Sequence, residues 1–104
     1  MQRHAFKMFL NHGMSMEYKR RHDEIWPELS ELLTKAGVRN YSIHLDEETD
    51  ILFGYLERED NHTMDRLPEH PVMKKWWNYM SDIMRYNADG TPVAIAMQEM
   101  FYMK

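Results

Sequence analysis

The chain has 104 residues, 43% of them hydrophobic and 29% charged, with a formal net charge of −4. That length and balance predict a folded single domain spanning residues 1–104 rather than a disordered chain. An acidic balance with no basic tract argues against nucleic acid or an anionic membrane as a partner.

The absence of cysteine excludes disulfides and thiolate metal sites, and it fits a cytoplasmic location. No apolar run approaches membrane-spanning length. Arg3, His4 and Lys7 interrupt any signal-like pattern at the N-terminus. Many of the 11 methionines, such as Met8, Met73, Met80 and Met84, lie in apolar patterns and read as core filler.

Residues His4 to Leu10 read as a strand. Met14 to Ala36 reads as a helix bent or divided at Pro27, with Ser15 as N-cap and Gly37 just past the last turn. Val38 to Leu45 and Ile51 to Glu57 form a hairpin around the polar turn Asp46–Asp50. A short helix is expected over Asn61–Leu67, capped by Asn61. A longer one over Val72–Met84 follows from apolar residues three and four apart. Asn87–Pro92 is a loop, and Val93–Tyr102 a last strand.

The order strand–helix–strand–strand–helix–strand predicts an α+β, ferredoxin-like fold, an antiparallel sheet with helices on one face. The strands Ile51–Leu56 and Val93–Met97 are apolar on both faces instead of alternating. A sheet with one wet face should alternate. Something must therefore cover the second face, and a two-fold homodimer packed sheet to sheet is the economical solution.

The chemistry concentrates in residues 17–29. His22 follows Tyr18 by one helical turn, on the face that continues through Ile25, Leu29, Leu32 and Ala36. Pro27 breaks the helix just beyond, which could open a pocket there. His22 reads either as a packed or exposed histidine or as a group exchanging protons near neutral pH. Trp76-Trp77 cover a broad arc of one helix. They read either as core or as a platform for the C–H face of a sugar ring. Tyr41 shares a strand face with Ile43 and Leu45, so its hydroxyl is expected near the helices, bound within the core or free for a ligand.

Metal binding is poorly supported. No two histidines stand three or four apart, and the acidic run Asp46–Asp50 lacks the spacing and glycine of a calcium loop. No glycine-rich phosphate cradle is present, and no cofactor is expected.

Taken together, Glu17-Tyr18, Arg20-Arg21-His22, Ile25-Trp26-Pro27-Glu28-Leu29, Asn40-Tyr41, Trp76-Trp77, Tyr79-Met80, Asp82 and Gln98-Glu99 resemble the L-rhamnose mutarotase family, over essentially the whole chain. The resemblance implies a dimeric α/β-barrel and interconversion of the α and β anomers of L-rhamnopyranose. It implies His22 as proton donor and Tyr18, Tyr41, Trp76 and Trp77 as sugar contacts. It implies neither metal nor cofactor.

Three other readings compete. One is a mutarotase for another aldose, such as L-fucose or L-mannose. A second is a cofactor-free monooxygenase or haem-handling protein on the same scaffold. A third is a sugar-binding or interaction module without catalysis.

Overall fold

A computed structural model describes all 104 residues. Four strands form one antiparallel sheet in the order β2-β3-β1-β4: β1 Gln2–Phe9, β2 Val38–Asp46, β3 Ile51–Arg58 and β4 Ile95–Ala96. Helices α1 (Ser15–Asp23), α2 (Pro27–Lys35) and α3 (Pro71–Met80) connect them, with a short 3-10 turn over Met64–Glu69. This is the ferredoxin-like plan expected from the order of elements.

The pleat decides what faces the helices. In β1, Phe6, Met8 and the following Leu10 are buried, and in β3, Leu52 and Leu56 are buried opposite them. They meet Leu29 of α2 and Met73, Trp76 and Met80 of α3 in the core. The Phe6 ring lies over Gly54, its cross-strand partner, where a Cβ would collide with it.

The other face of the sheet carries Phe53, Tyr55 and Ile95, and no helix covers it. Phe53 and Ile95 are exposed, as are Met100, Phe101, Tyr102 and Met103 in the segment that follows β4.

The long helix is divided at Pro27, as expected. Pro27 opens α2 at its first position, and Trp26 before it is extended at φ −64°, ψ 132°. Gly37 takes φ +100°, the left-handed geometry that closes a helix.

Four expectations need correction. Ser15 is the first helical residue; Met14 stands at the cap position, and no side chain caps α1. The turn expected over Asn61–Leu67 lies instead at Met64–Glu69, after Thr63 and without a side-chain cap. Helix α3 runs over Pro71–Met80, not Val72–Met84. It starts where His70 Nδ1 accepts the Val72 amide, and it stops because β1 captures the chain beyond it. There Leu10 bridges to Met84, and the Arg85 amide donates to the Phe9 carbonyl. Ile83 and Met84 stay buried, so their spacing reported burial rather than helix.

The last strand pairs only at Ile95–Ala96 instead of over Val93–Tyr102. Beyond Met97, side chains take over from the ladder. Arg3 donates to Glu99 at 2.7 Å and lies 3.5 Å over the Tyr102 ring.

One irregularity positions the site. Between Arg39 and Ser42, β2 has one residue more than β3, a β-bulge. Asn40 sits there at φ +49°, a left-handed conformation asparagine tolerates, and its side chain donates to Glu57 at 2.5 Å. The extra residue reverses the alternation. Val38 faces the helices before the bulge, and Tyr41, Ile43 and Leu45 face them after it.

Candidate active site

Between the sheet and the helices lies a cavity of about 1200 Å³. Tyr18, His22, Tyr41, Trp76 and Trp77 all line it. The sequence placed them on three separate elements; the fold brings all five to one space.

Helix α1 supplies Tyr18 and His22 one turn apart. Their rings stack with centroids 4.2 Å apart and planes at 25°. His22 Nδ1 lies 3.1 Å from the Tyr18 carbonyl oxygen. A carbonyl only accepts, so Nδ1 carries the hydrogen. In the neutral ring this leaves the lone pair on Nε2. That nitrogen has no partner in the protein, and it is not sealed from open space. Burial lowers the His22 pKa below its usual 6.5, opposed by the Tyr18 carbonyl and Asp23. The ring is therefore held neutral near pH 7, with a free basic nitrogen at the cavity wall.

The two tyrosines are neutral phenols. Burial pushes the Tyr18 pKa far above 10, helped by the neighbouring Tyr41 and Tyr86. Tyr41 lines the cavity and exposes 41% of its surface. Burial pushes its pKa up to about 12. Each phenol can donate and accept a hydrogen bond but is a poor source of phenolate.

The tryptophans differ from each other. Trp76 is buried and receives His22 edge-on at 5.3 Å and Trp26 edge-on at 5.1 Å. Trp77 is only half-buried. The pair is thus not one flat platform: Trp76 backs the histidine, and Trp77 lines the cavity with more of its surface free. The break at Pro27 contributes here, because the extended Trp26 also stacks on Tyr79 at 5.6 Å.

The nearby acids are engaged elsewhere. Asp23 lines the cavity, but Lys19 holds it at 2.9 Å. Glu17 is bound by Arg20 and Arg21, which depress its pKa to about 2. No three His, Asp or Glu side chains lie close enough together to hold a metal ion.

Sequence reasoning missed Arg21. Its side chain is buried and donates to Glu17 at 2.7 Å, to the Tyr79 carbonyl at 2.7 Å and to Asp82 at 2.8 Å. Its guanidinium also lies 4.6 Å over the Tyr79 ring. This ties α1 to the end of α3, next to the residue bearing the imidazole. Glu17 four residues before Arg21 was the available signal, but it reads equally as a surface pair.

Comparison with known proteins places the chain in a family. A family model described as L-rhamnose mutarotase matches residues 3–103. The chain belongs to the L-rhamnose mutarotase family. It is 60% identical to the L-rhamnose mutarotase of Rhizobium johnstonii, over 99% of this chain and 97% of that one. Identity to the Sinorhizobium fredii protein of the same name is 58%, over 99% of both chains. The crystal structure of an L-rhamnose mutarotase from Formosa agariphila superposes with a TM-score of 0.92 at 46% identity, covering all of both chains.

Proposed function

We propose that this member of the L-rhamnose mutarotase family interconverts the α and β anomers of L-rhamnopyranose, with His22 moving the proton. The observation that carries the reading is the placement of His22 in the cavity wall, with Nδ1 fixed on the Tyr18 carbonyl and Nε2 without a protein partner.

Mutarotation opens the ring, turns C1 and closes the ring on its other face. Opening removes the proton of the anomeric hydroxyl, forms the C1 carbonyl, breaks the bond from C1 to the ring oxygen and protonates that oxygen. Both oxygens are attached to C1, so one nitrogen can serve them in turn. His22 Nε2 takes the anomeric proton and donates it to the ring oxygen. Closure after rotation about C1–C2 runs the same transfers in reverse. The other candidate bases are less suited. The Tyr18 phenol is too weakly acidic to supply phenolate, and Asp23 is held by Lys19.

Tyr18 and Tyr41 hydrogen-bond sugar hydroxyls as neutral phenols. Trp76 and Trp77 pack on the apolar edge of the sugar, including its C6 methyl. No metal or cofactor takes part in this scheme. L-Mannose differs from L-rhamnose by a hydroxyl on C6, which an apolar pocket rejects by a factor of only about 100. Exchange rates for L-rhamnose, L-mannose and L-fucose rank the substrates.

The protein acts as a homodimer and as a single domain in the cytoplasm. The dimer is supported by the uncovered sheet face with Phe53 and Ile95, and by the exposed run Met100–Met103. The location is supported by the absence of cysteine and of any helix long and apolar enough to cross a membrane. Sedimentation equilibrium giving twice the mass of the 12.7 kDa chain is the expected result; a monomer at micromolar concentration overturns the dimer.

The activity is tested by saturation-transfer NMR on equilibrated L-rhamnose, irradiating one anomeric proton and observing the other. Protein-dependent transfer is expected. The variant His22→Asn should lose it by about 100-fold or more while still binding the sugar. Full exchange in His22→Asn rejects the assignment.

A further inference from the structure

We infer that the Tyr86 hydroxyl is a further sugar-binding group of this site, pairing with the C2, C3 or C4 hydroxyl of the bound pyranose. The inference rests on the mutarotase reading given above. Tyr86 lies beyond α3, where its backbone bridges to Pro92, and its side chain lines the same cavity as Tyr18, His22 and Tyr41.

Its oxygen is the one buried side-chain polar atom in the chain that has no hydrogen-bond partner. Folded proteins pair such groups nearly always, and an unpaired one weakens the fold. A residue that packed for stability alone would do better as phenylalanine. The ring of Tyr86 is half-buried, while the oxygen at its tip is closed off from water-sized space. Tyr86 already lines the cavity, so a swing of the side chain about its Cα–Cβ bond would carry the oxygen to that space, where a sugar hydroxyl can satisfy it.

Two neighbours support the assignment. Tyr86 is close enough to Tyr18 to raise the Tyr18 pKa, so the two phenols are near each other. Burial pushes the Tyr86 pKa up to about 12, with Asp82 adding to it. The group is therefore a neutral phenol at working pH, able both to donate and to accept. Tyr18, Tyr41 and Tyr86 together present three phenols to a ligand rich in hydroxyls. Sites that pair a substrate hydroxyl discriminate strongly against analogues lacking it.

The test is Tyr86→Phe, which removes the oxygen and keeps the ring. The dissociation constant of L-rhamnose should rise about tenfold, the usual worth of one such bond. The melting temperature should not fall, because no protein partner is lost. Titration with the 2-, 3- and 4-deoxy derivatives of L-rhamnose gives the decisive readout. One of the three should bind the wild type and Tyr86→Phe equally, since it lacks the hydroxyl that the phenol meets. An unchanged dissociation constant in Tyr86→Phe overturns the assignment while leaving the activity intact. So does an equal loss with all three derivatives. Failure of the wild type to bind L-rhamnose at all overturns the mutarotase reading itself.

Discussion

The Tyr18 carbonyl oxygen accepts a hydrogen bond from His22 Nδ1 at 3.1 Å, while the two rings stack at 4.2 Å. One helical turn therefore fixes the tautomer of the imidazole and the plane in which it lies. The partner on Nδ1 is a backbone carbonyl and not a carboxylate, and together with nearby Asp23 it only partly offsets the lowering of basicity by burial.

The pH dependence follows from that arrangement. His22 must be neutral to accept the anomeric proton, and burial holds its pKa below 6.5. The kcat/KM for anomer exchange should be flat above about pH 6.5 and fall as pH drops through the lowered value. Stability should move in the same direction. Between the folded pKa and 6.5 the unfolded chain binds more protons, so stability rises with pH in that window and is complete above it. Acidification through the window should lower the melting temperature less in His22→Asn than in the wild type. An acid limb with a midpoint above 6.5 would contradict the burial argument.

The two tryptophans should separate in mutagenesis. Trp76→Ala opens a cavity in the core and should cost about 3–5 kcal/mol of stability. That is a large share of the roughly 5–15 kcal/mol typical of a whole domain. Trp77, being half-buried, should give a smaller loss on Trp77→Ala and a rise in the KM for L-rhamnose of about tenfold. Chemical denaturation and progress curves on the same preparations check both. Equal destabilisation by the two variants would mean that Trp77 is also core.

Asn40 controls Tyr41 through the bulge. Asn40→Val places a β-branched residue at φ +49° and removes the bond to Glu57. The strain should cost about 1–3 kcal/mol, and Tyr41 should lose its place at the cavity, raising KM. Asn40→Gly accepts the backbone angle and loses only the side-chain bond, so it should be milder on both counts. Melting curves and KM values for the pair decide the point; a more harmful glycine would show that the Glu57 bond, not the backbone angle, holds the bulge.

Arg21→Met should loosen α1 from α3. It removes the side-chain partner of the Tyr79 carbonyl, a loss of about 1–2 kcal/mol that corresponds to roughly 5–10 °C in melting temperature. Arg20→Met, on an exposed side chain with only surface pairs, should shift it by far less. Similar shifts for the two would show that the link to α3 contributes little.

The sequence by itself determined the order of elements, the division of the first helix at Pro27, and the Tyr18–His22 pair. Each of these depends on near neighbours: a proline removes its own amide hydrogen, and residues four apart on a helix must share a face. The same local logic found Tyr41, Trp76 and Trp77 as candidates. It could not find where they meet Tyr18 and His22, because the five lie on three elements joined only by packing. Nor could it find where α3 stops, since β1 takes the backbone after Met80 through contacts some 75 residues away in the chain. The bulge that turns Tyr41 inward depends on the register of β2 against β3. The burial of Arg21 and the unpaired oxygen of Tyr86 depend on three-dimensional surroundings that no periodicity encodes. Local chemistry chose the reactive groups. Tertiary packing decided which were buried, which tautomer and charge they hold, and which polar atoms were left without a partner.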